Sequence, residues 1–218
     1  MIRVSAAREP ADFDARVRKP GLRAIAEMVG EKPGAQRRGP KRAVRASRRE
    51  DLESGDFPPY WRECTEDLLS GYHRICAYAC LFIERVTGGA TVDHWAPRSQ
   101  AWDRVYEWDN YRLACSLMNT RKNDFGDVLD PFDVTEGMFA LDMVTLEVVP
   151  GPNAGNEIAA VSATIERLGL RGSDYSEALG DYYHGYLDGD LSLRWLEKRA
   201  PFLAAEMRRQ GKLKPGDL

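Results

Sequence analysis

Apolar residues recur along this chain with two different periods, and the changes between them mark out its elements. Early on, "PADFDARVRKPGLRAIAEMVG" carries a helical rhythm that Pro20 and Gly21 are expected to interrupt. Tyr60, Trp61, Cys64, Leu68, Leu69 and Tyr72 recur at three- and four-residue steps behind Pro58-Pro59, which predicts a helix. "CAYACLFIERV" loses that period and reads as a buried strand closed by the turn residues "TGG". "NYRLAC" predicts a short strand, and Ser116 a cap for a helix through "LMNTRKND". "GMFALDMVTLEVVPG" predicts a hairpin. The last third returns to helical spacing in "NEIAAVSATIERLGL", in "DYSEALGDYYHGYL" capped by Ser173, and in "LSLRWLEKRAPFLAAEMRRQ". Helices around a few short strands predict an α+β protein without internal repeats. Its segments are 1–57, 58–134 and 135–218.

Composition narrows the setting. Of 218 residues, 43% are hydrophobic and 30% charged, enough for a real core under a charged surface. The longest apolar run, "ICAYACLFI", is too short to span a bilayer, so no membrane association is expected. Acids at Glu9 and Asp12, and no apolar stretch behind Met1, predict no secretory signal. With four Cys, that points to reduced thiols in a cytoplasm. The net charge of −3 argues against a generic nucleic-acid binder, but its distribution does not. Glu31–Glu50 holds eight basic residues (Lys32, Arg37, Arg38, Lys41, Arg42, Arg45, Arg48 and Arg49) against two Glu, leaving the remainder at −9. This reads either as an arm that seeks a polyanion or as a solvated linker.

The chemistry concentrates in "ATVDHWAPRS". Asp93 and His94 end an apparent strand, and a Trp, an Ala and a Pro then break it. Asn110 follows in "WDN", and Asn119 and Lys122 in "LACSLMNTRKND". This pattern resembles the HNH (His-Me finger, ββα-metal) endonucleases over Thr91–Asn123, and the step from Asn110 to Asn119 is similar to that in the HNH domain of the RNA-guided CRISPR nuclease. The flanks resemble more loosely the HNH proteins of bacterial anti-phage systems of the Septu and retron-associated kind. The resemblance implies a small ββα-metal core embedded in helices, and metal-dependent cleavage of a nucleic acid, DNA in preference to RNA. A protein partner such as an ATPase fits the acidic body. A catalytically silent subunit of a defence complex, binding nucleic acid or protein, is the rival reading.

Within that resemblance each residue type has a task. Neutral His94 can take a proton from water, because an imidazole titrates near working pH, provided its other nitrogen is fixed by a backbone carbonyl. A hard cation such as Mg²⁺ or Mn²⁺ wants oxygen ligands, which Asp93 and Asn119 supply. Asn110 is expected to brace the loop behind His94. Arg98, Arg121 and Lys122 are candidates for nucleic-acid phosphates. His73 and His184 read as structural, and Trp95, Trp102, Tyr106 and Trp108 as packing for the irregular loop.

Many HNH proteins also brace the hairpin with Zn²⁺ on two Cys-x-x-Cys pairs. Here Cys76 and Cys80 stand one residue too far apart, and Met118 occupies the position of Cys115's partner. A neutral thioether lacks the charge that holds the metal, and nothing in their spacing recruits Cys64 or His73, so no structural zinc is expected. These sulfurs read instead as small or soft packing groups.

The basic arm has a direct test. Neutralising four of its Lys/Arg residues should flatten the slope of log affinity against log salt by about 0.9 for each phosphate that the arm no longer neutralises. An unchanged slope in a DNA-binding titration makes the stretch a plain linker.

Overall fold

Two short strands and the helix that follows them organise the structure, a computed structural model that describes residues 1–32 and 41–217. β1 (Ala90–His94) pairs antiparallel with β2 (Tyr111–Cys115), setting Val92 opposite Leu113, Asp93 opposite Arg112 and His94 opposite Tyr111. α3 (Ser116–Lys122) leaves β2 without an intervening residue. Strand side chains alternate between faces, so Thr91 and Asp93 look one way while Val92 and His94 look the other. On the first face Thr91 and Asp93 meet Asn119 and Lys122 of α3. On the second, His94 meets Trp61, from the 3₁₀ turn Tyr60–Cys64 that leads into α2 (Thr65–Gly71).

The predicted hairpin is present as β3 (Phe139–Leu141) and β4 (Val148–Pro150), antiparallel. α4 (Ile158–Leu168) packs on β4 and on α3. α5 (Ser173–Asp188), α6 (Leu193–Arg199) and α7 (Pro201–Arg209) complete the helical last third. The break before Pro201 falls where the preceding residue is barred from helical geometry, and Ala200 sits at φ −141°, ψ 61°. One continuous apolar core draws Phe13 and Val17, Leu68 and Leu113, Val161 and Leu203 from all three segments. Helices and short antiparallel strands make this an α+β protein.

Four local expectations change. The run at Cys76–Ile83 is not a strand but a buried turn: the Cys80 N–H donates to the Cys76 carbonyl at 2.9 Å, and a single bridge joins Ile75 to Phe82. It lies against the sheet, the Ala77 N–H donating to the Leu113 carbonyl at 2.8 Å. Ser116 and Ser173 are first helical residues, not caps, with Cys115 and Gly172 at the capping positions. Trp95 is exposed, whereas Tyr106 and Trp108 are buried as expected and Trp102 half-buried. Pro20-Gly21 does not interrupt its helix. α1 (Lys19–Met28) runs through both residues, behind a wide π-helical turn at Asp14–Arg18. Pro20 has no N–H to give, and the widened turn immediately ahead of it accommodates the missing bond.

Residues 41–51 cross the body in mostly irregular form, ending in a 3₁₀ turn at Arg49–Asp51. Arg37 and Arg38 of the basic arm lie outside the described residues. Of its other members, Arg42 donates to the Tyr60 hydroxyl at 3.1 Å, while Arg48 pairs with Asp51 and Arg49 with Glu31. The chain's own acids and hydroxyls thus engage part of the charge. Among the described residues no helix is long and apolar enough to cross a membrane.

Gly21 owes its place to packing: a Cβ there would stand 2.3 Å from the Tyr106 ring. Helix propensity alone would make Gly21→Ala stabilising by up to ~1 kcal/mol. Overpacking against a buried ring should reverse that sign, costing about 1–3 kcal/mol. The expected readout is a Tm lowered by roughly 3–10 °C in thermal unfolding. A raised Tm would show that the Tyr106 ring does not constrain the helix.

Candidate active site

A cleft of about 710 Å³ opens between α2, β1 and α3, and its walls include Asp93, His94, Arg98 and Asn119. Each arrives there for a local reason. His94 ends β1 on the aromatic face, its ring edge-on to Trp61 at 4.8 Å and to Tyr111 at 5.2 Å between centroids. Its Nε2 lies 2.9 Å from the Val105 carbonyl, which also accepts from the Tyr111 hydroxyl at 2.8 Å. A carbonyl can only accept, so Nε2 carries the proton and Nδ1 the lone pair. Nδ1 has no hydrogen-bond partner among the described residues. Burial pushes the His94 pKa down to about 3, against a weaker upward pull from the Val105 carbonyl. The ring is a neutral base.

On the opposite face, Asp93 is buried beside a full set of partners. Its Oδ2 accepts from the Tyr78 hydroxyl at 2.5 Å and lies 3.3 Å from the Lys122 ammonium. Burial raises the Asp93 pKa, and Lys122, the Tyr78 hydroxyl and Arg112 oppose that rise. Oδ1 accepts no hydrogen bond from the described residues. Arg112, across the ladder, is itself buried and held bidentately by Asp130, with its guanidinium 3.5 Å from the Phe132 ring centroid.

Asn119 is oriented by a chain of hydrogen bonds. Thr91 donates its hydroxyl proton to the Ala114 carbonyl at 2.9 Å, so its oxygen is left to accept, and the Asn119 amide nitrogen donates to it at 3.1 Å. The Asn119 carbonyl oxygen is thereby turned away from Thr91. Asp93 and Asn119 both line the cleft, and a carboxylate and an amide oxygen are hard donors, a chemistry suited to Mg²⁺ or Mn²⁺. Among the described residues no group of three or more His, Cys, Asp or Glu side chains could hold a metal, so any ion here depends on this carboxylate–amide pair together with water and ligand oxygens.

Asn110 is fully buried and does not line the cleft. Its amide nitrogen donates to the carbonyls of Ala96 and Arg104, its oxygen accepts from the Ala96 N–H at 2.8 Å, and its own carbonyl accepts from Trp95. Those bonds pin both ends of the loop that delivers the Val105 carbonyl to His94.

The three basic candidates separate. Arg98 lines the cleft, stacked 4.9 Å from the Trp61 ring centroid and donating one bond to the Ser54 carbonyl. Arg121 points away, bonded to the Leu168 carbonyl and Asp174. Lys122 has no exposed surface: its ammonium donates to the His94 carbonyl at 2.8 Å and faces Asp93, so it holds the site together from behind and cannot reach a bound phosphate. His73 and His184 are exposed and outside the cleft. Sequence reasoning missed Tyr78, hidden in the supposed strand, and Trp61, whose spacing marked it only as core. The chain matches no family model, and no curated protein matches its sequence.

The base geometry predicts a pH response. The unfolded chain's imidazole titrates near 6.5, and the folded one near 3. Between those values the unfolded state binds a proton that the folded state refuses, so this group's contribution to stability is complete above about pH 6.5 and declines as pH falls. The His94 ring C–H resonance should therefore stay fixed from about pH 8 to about pH 5. A midpoint inside that range would show that the ring can carry charge in the folded protein.

Proposed function

We propose that the chain is a metal-dependent endonuclease of the HNH type that hydrolyses phosphodiester bonds, in DNA in preference to RNA, with β1, β2 and α3 as its ββα core. The observation that carries the reading is the His94 imidazole: neutral, protonated at Nε2 by the demand of a carbonyl, and lining the same cleft as Asp93 and Asn119. His94 Nδ1 takes the proton from the attacking water as the new P–O bond forms. Asp93 and Asn119 would hold one Mg²⁺ or Mn²⁺, whose charge would neutralise the phosphate and the departing oxygen. Arg98 offers its remaining N–H groups to a phosphate oxygen. Asn110 and Lys122 act through others: one keeps the loop on His94, the other keeps Asp93 and the His94 main chain in place.

The test is incubation of the purified protein with plasmid, single-stranded DNA and RNA, with Mg²⁺, Mn²⁺ or EDTA. Cleavage that EDTA abolishes is expected, and His94→Ala should lose at least ~10²-fold in rate while keeping nucleic-acid binding. Asp93→Ala and Asn119→Ala should raise the Mg²⁺ requirement. Arg98→Ala should lower the salt slope of binding by about 0.9. Full cleavage by His94→Ala would sink the assignment. Binding without cleavage under every condition would favour a silent nucleic-acid-binding subunit.

A further inference from the structure

Two thiols sit together behind the cleft, in a place the proposed chemistry does not use. Cys76 opens the buried turn that carries Tyr78, and Cys115 ends β2. The Cys76 sulfur accepts from the Cys115 N–H at 3.4 Å and from the Ala79 N–H at 3.4 Å. Cys76 is buried, whereas Cys115 is only partly so, and both line a cavity of about 280 Å³ with Leu81, Met118 and Tyr175. Cys80, the nearer neighbour in sequence, takes no part, its sulfur lying about 4 Å from the carbonyls of Ala77 and Tyr78.

We propose that Cys76 and Cys115 form a redox pair that closes to a disulfide when a peroxide oxidises Cys115. The division of labour follows from the environment. The neighbouring Cys76 thiol, helped by the N–H groups of Met118 and Leu117 and opposed by partial burial, holds the Cys115 pKa down to about 6. Burial, and after it the neighbouring Cys115, push Cys76 well up. The partly exposed thiolate is the nucleophile and its buried neighbour the resolving thiol, an arrangement suited to reversible oxidation.

The steps balance. The Cys115 thiolate attacks one oxygen of hydrogen peroxide; an S–O bond forms, the O–O bond breaks, and hydroxide departs, leaving a sulfenic acid. That hydroxide takes the Cys76 proton and becomes water. The Cys76 thiolate then attacks the Cys115 sulfur, the S–S bond forms, and the second oxygen leaves as hydroxide. Two electrons have passed from the sulfurs to one peroxide. The new bond ties the turn bearing Tyr78 to the start of the helix bearing Asn119 and Lys122. Asp93's two partners would then be linked covalently as well as through the carboxylate.

The test uses the whole protein, reduced and then treated with hydrogen peroxide, followed by intact mass and then by alkylation and peptide mapping. Expected is a mass lower by about 2 Da, one cross-linked peptide joining Cys76 to Cys115, and full reversal by a thiol reductant. Cys76→Ser should leave Cys115 without its resolving partner, so that it gains about 32 Da as sulfinic acid. A cross-link through Cys64 or Cys80, or sulfinic acid on Cys115 in the unaltered protein with Cys76 still free, would overturn the proposal. So would a Cys115→Ser protein that still shows the 2 Da decrease, about the mass of two hydrogens. Mapping the unaltered protein needs no variant to fold.

Discussion

A single buried ammonium group joins the halves of this site. Lys122, in the last turn of α3, reaches under β1 to the carboxylate of one residue and the main-chain carbonyl of the next. A cation out of water must be compensated where it sits, and removing one partner of such a pair typically costs ~3–5 kcal/mol. The helix can therefore lie against the strand in few registers. Asn119, nearly one turn earlier, comes to rest beside Thr91, and the oxygen donors of the cleft follow from that placement. Arg112 and Asp130 repeat the device on β2, so both strands are tied down by charge where apolar contacts alone would let them slide.

The alternation of a strand divides the chemistry between two environments. Asp93 faces a network of hydroxyl, ammonium and guanidinium groups, which holds back the rise that burial imposes on its pKa. His94, one residue on, faces Trp61 and Tyr111, which supply no counter-charge to an imidazolium. Adjacent residues thus meet opposite electrostatic conditions within a single β-strand step. The sequence pair Asp-His is sufficient for this only because the backbone is extended there.

Much of this was legible in the residues, and the failures have physical causes. The closing helical stretches came from periodicity, which survives wherever an element has one buried face, whereas β2, buried on both faces, was read from its short run and α3 from the residues that follow it. The Cys76–Ile83 run misled because a turn buried on all sides carries the same unbroken apolar string as an interior strand. Pro20 misled because a widened turn ahead of it absorbed what would otherwise be a break. In the site, the local pattern brought Asp93, His94, Asn110, Asn119 and Arg98 to notice. It could not tell that Lys122 faces inward while Arg98 faces the cleft, since a lysine's letter is the same whether its charge is solvated or enclosed. Tyr78 lies fifteen residues from Asp93, and only the fold brings them together.

The hydrogen bond that sets the tautomer of His94 ends on a main-chain atom. Any amino acid at position 105 would present the same carbonyl, so no codon there encodes the bond and no replacement there deletes it. From the carbonyl's side, heritable change reaches it by displacing the loop, through Asn110 or the packing around Tyr106. Variation among descendants of this chain should accordingly be tolerated in the identity of residue 105 so long as its volume is respected, while the loop's length and its amide clasp are held fixed. The tautomer of this histidine is in that sense written in the path of a loop and not in the choice of any one side chain.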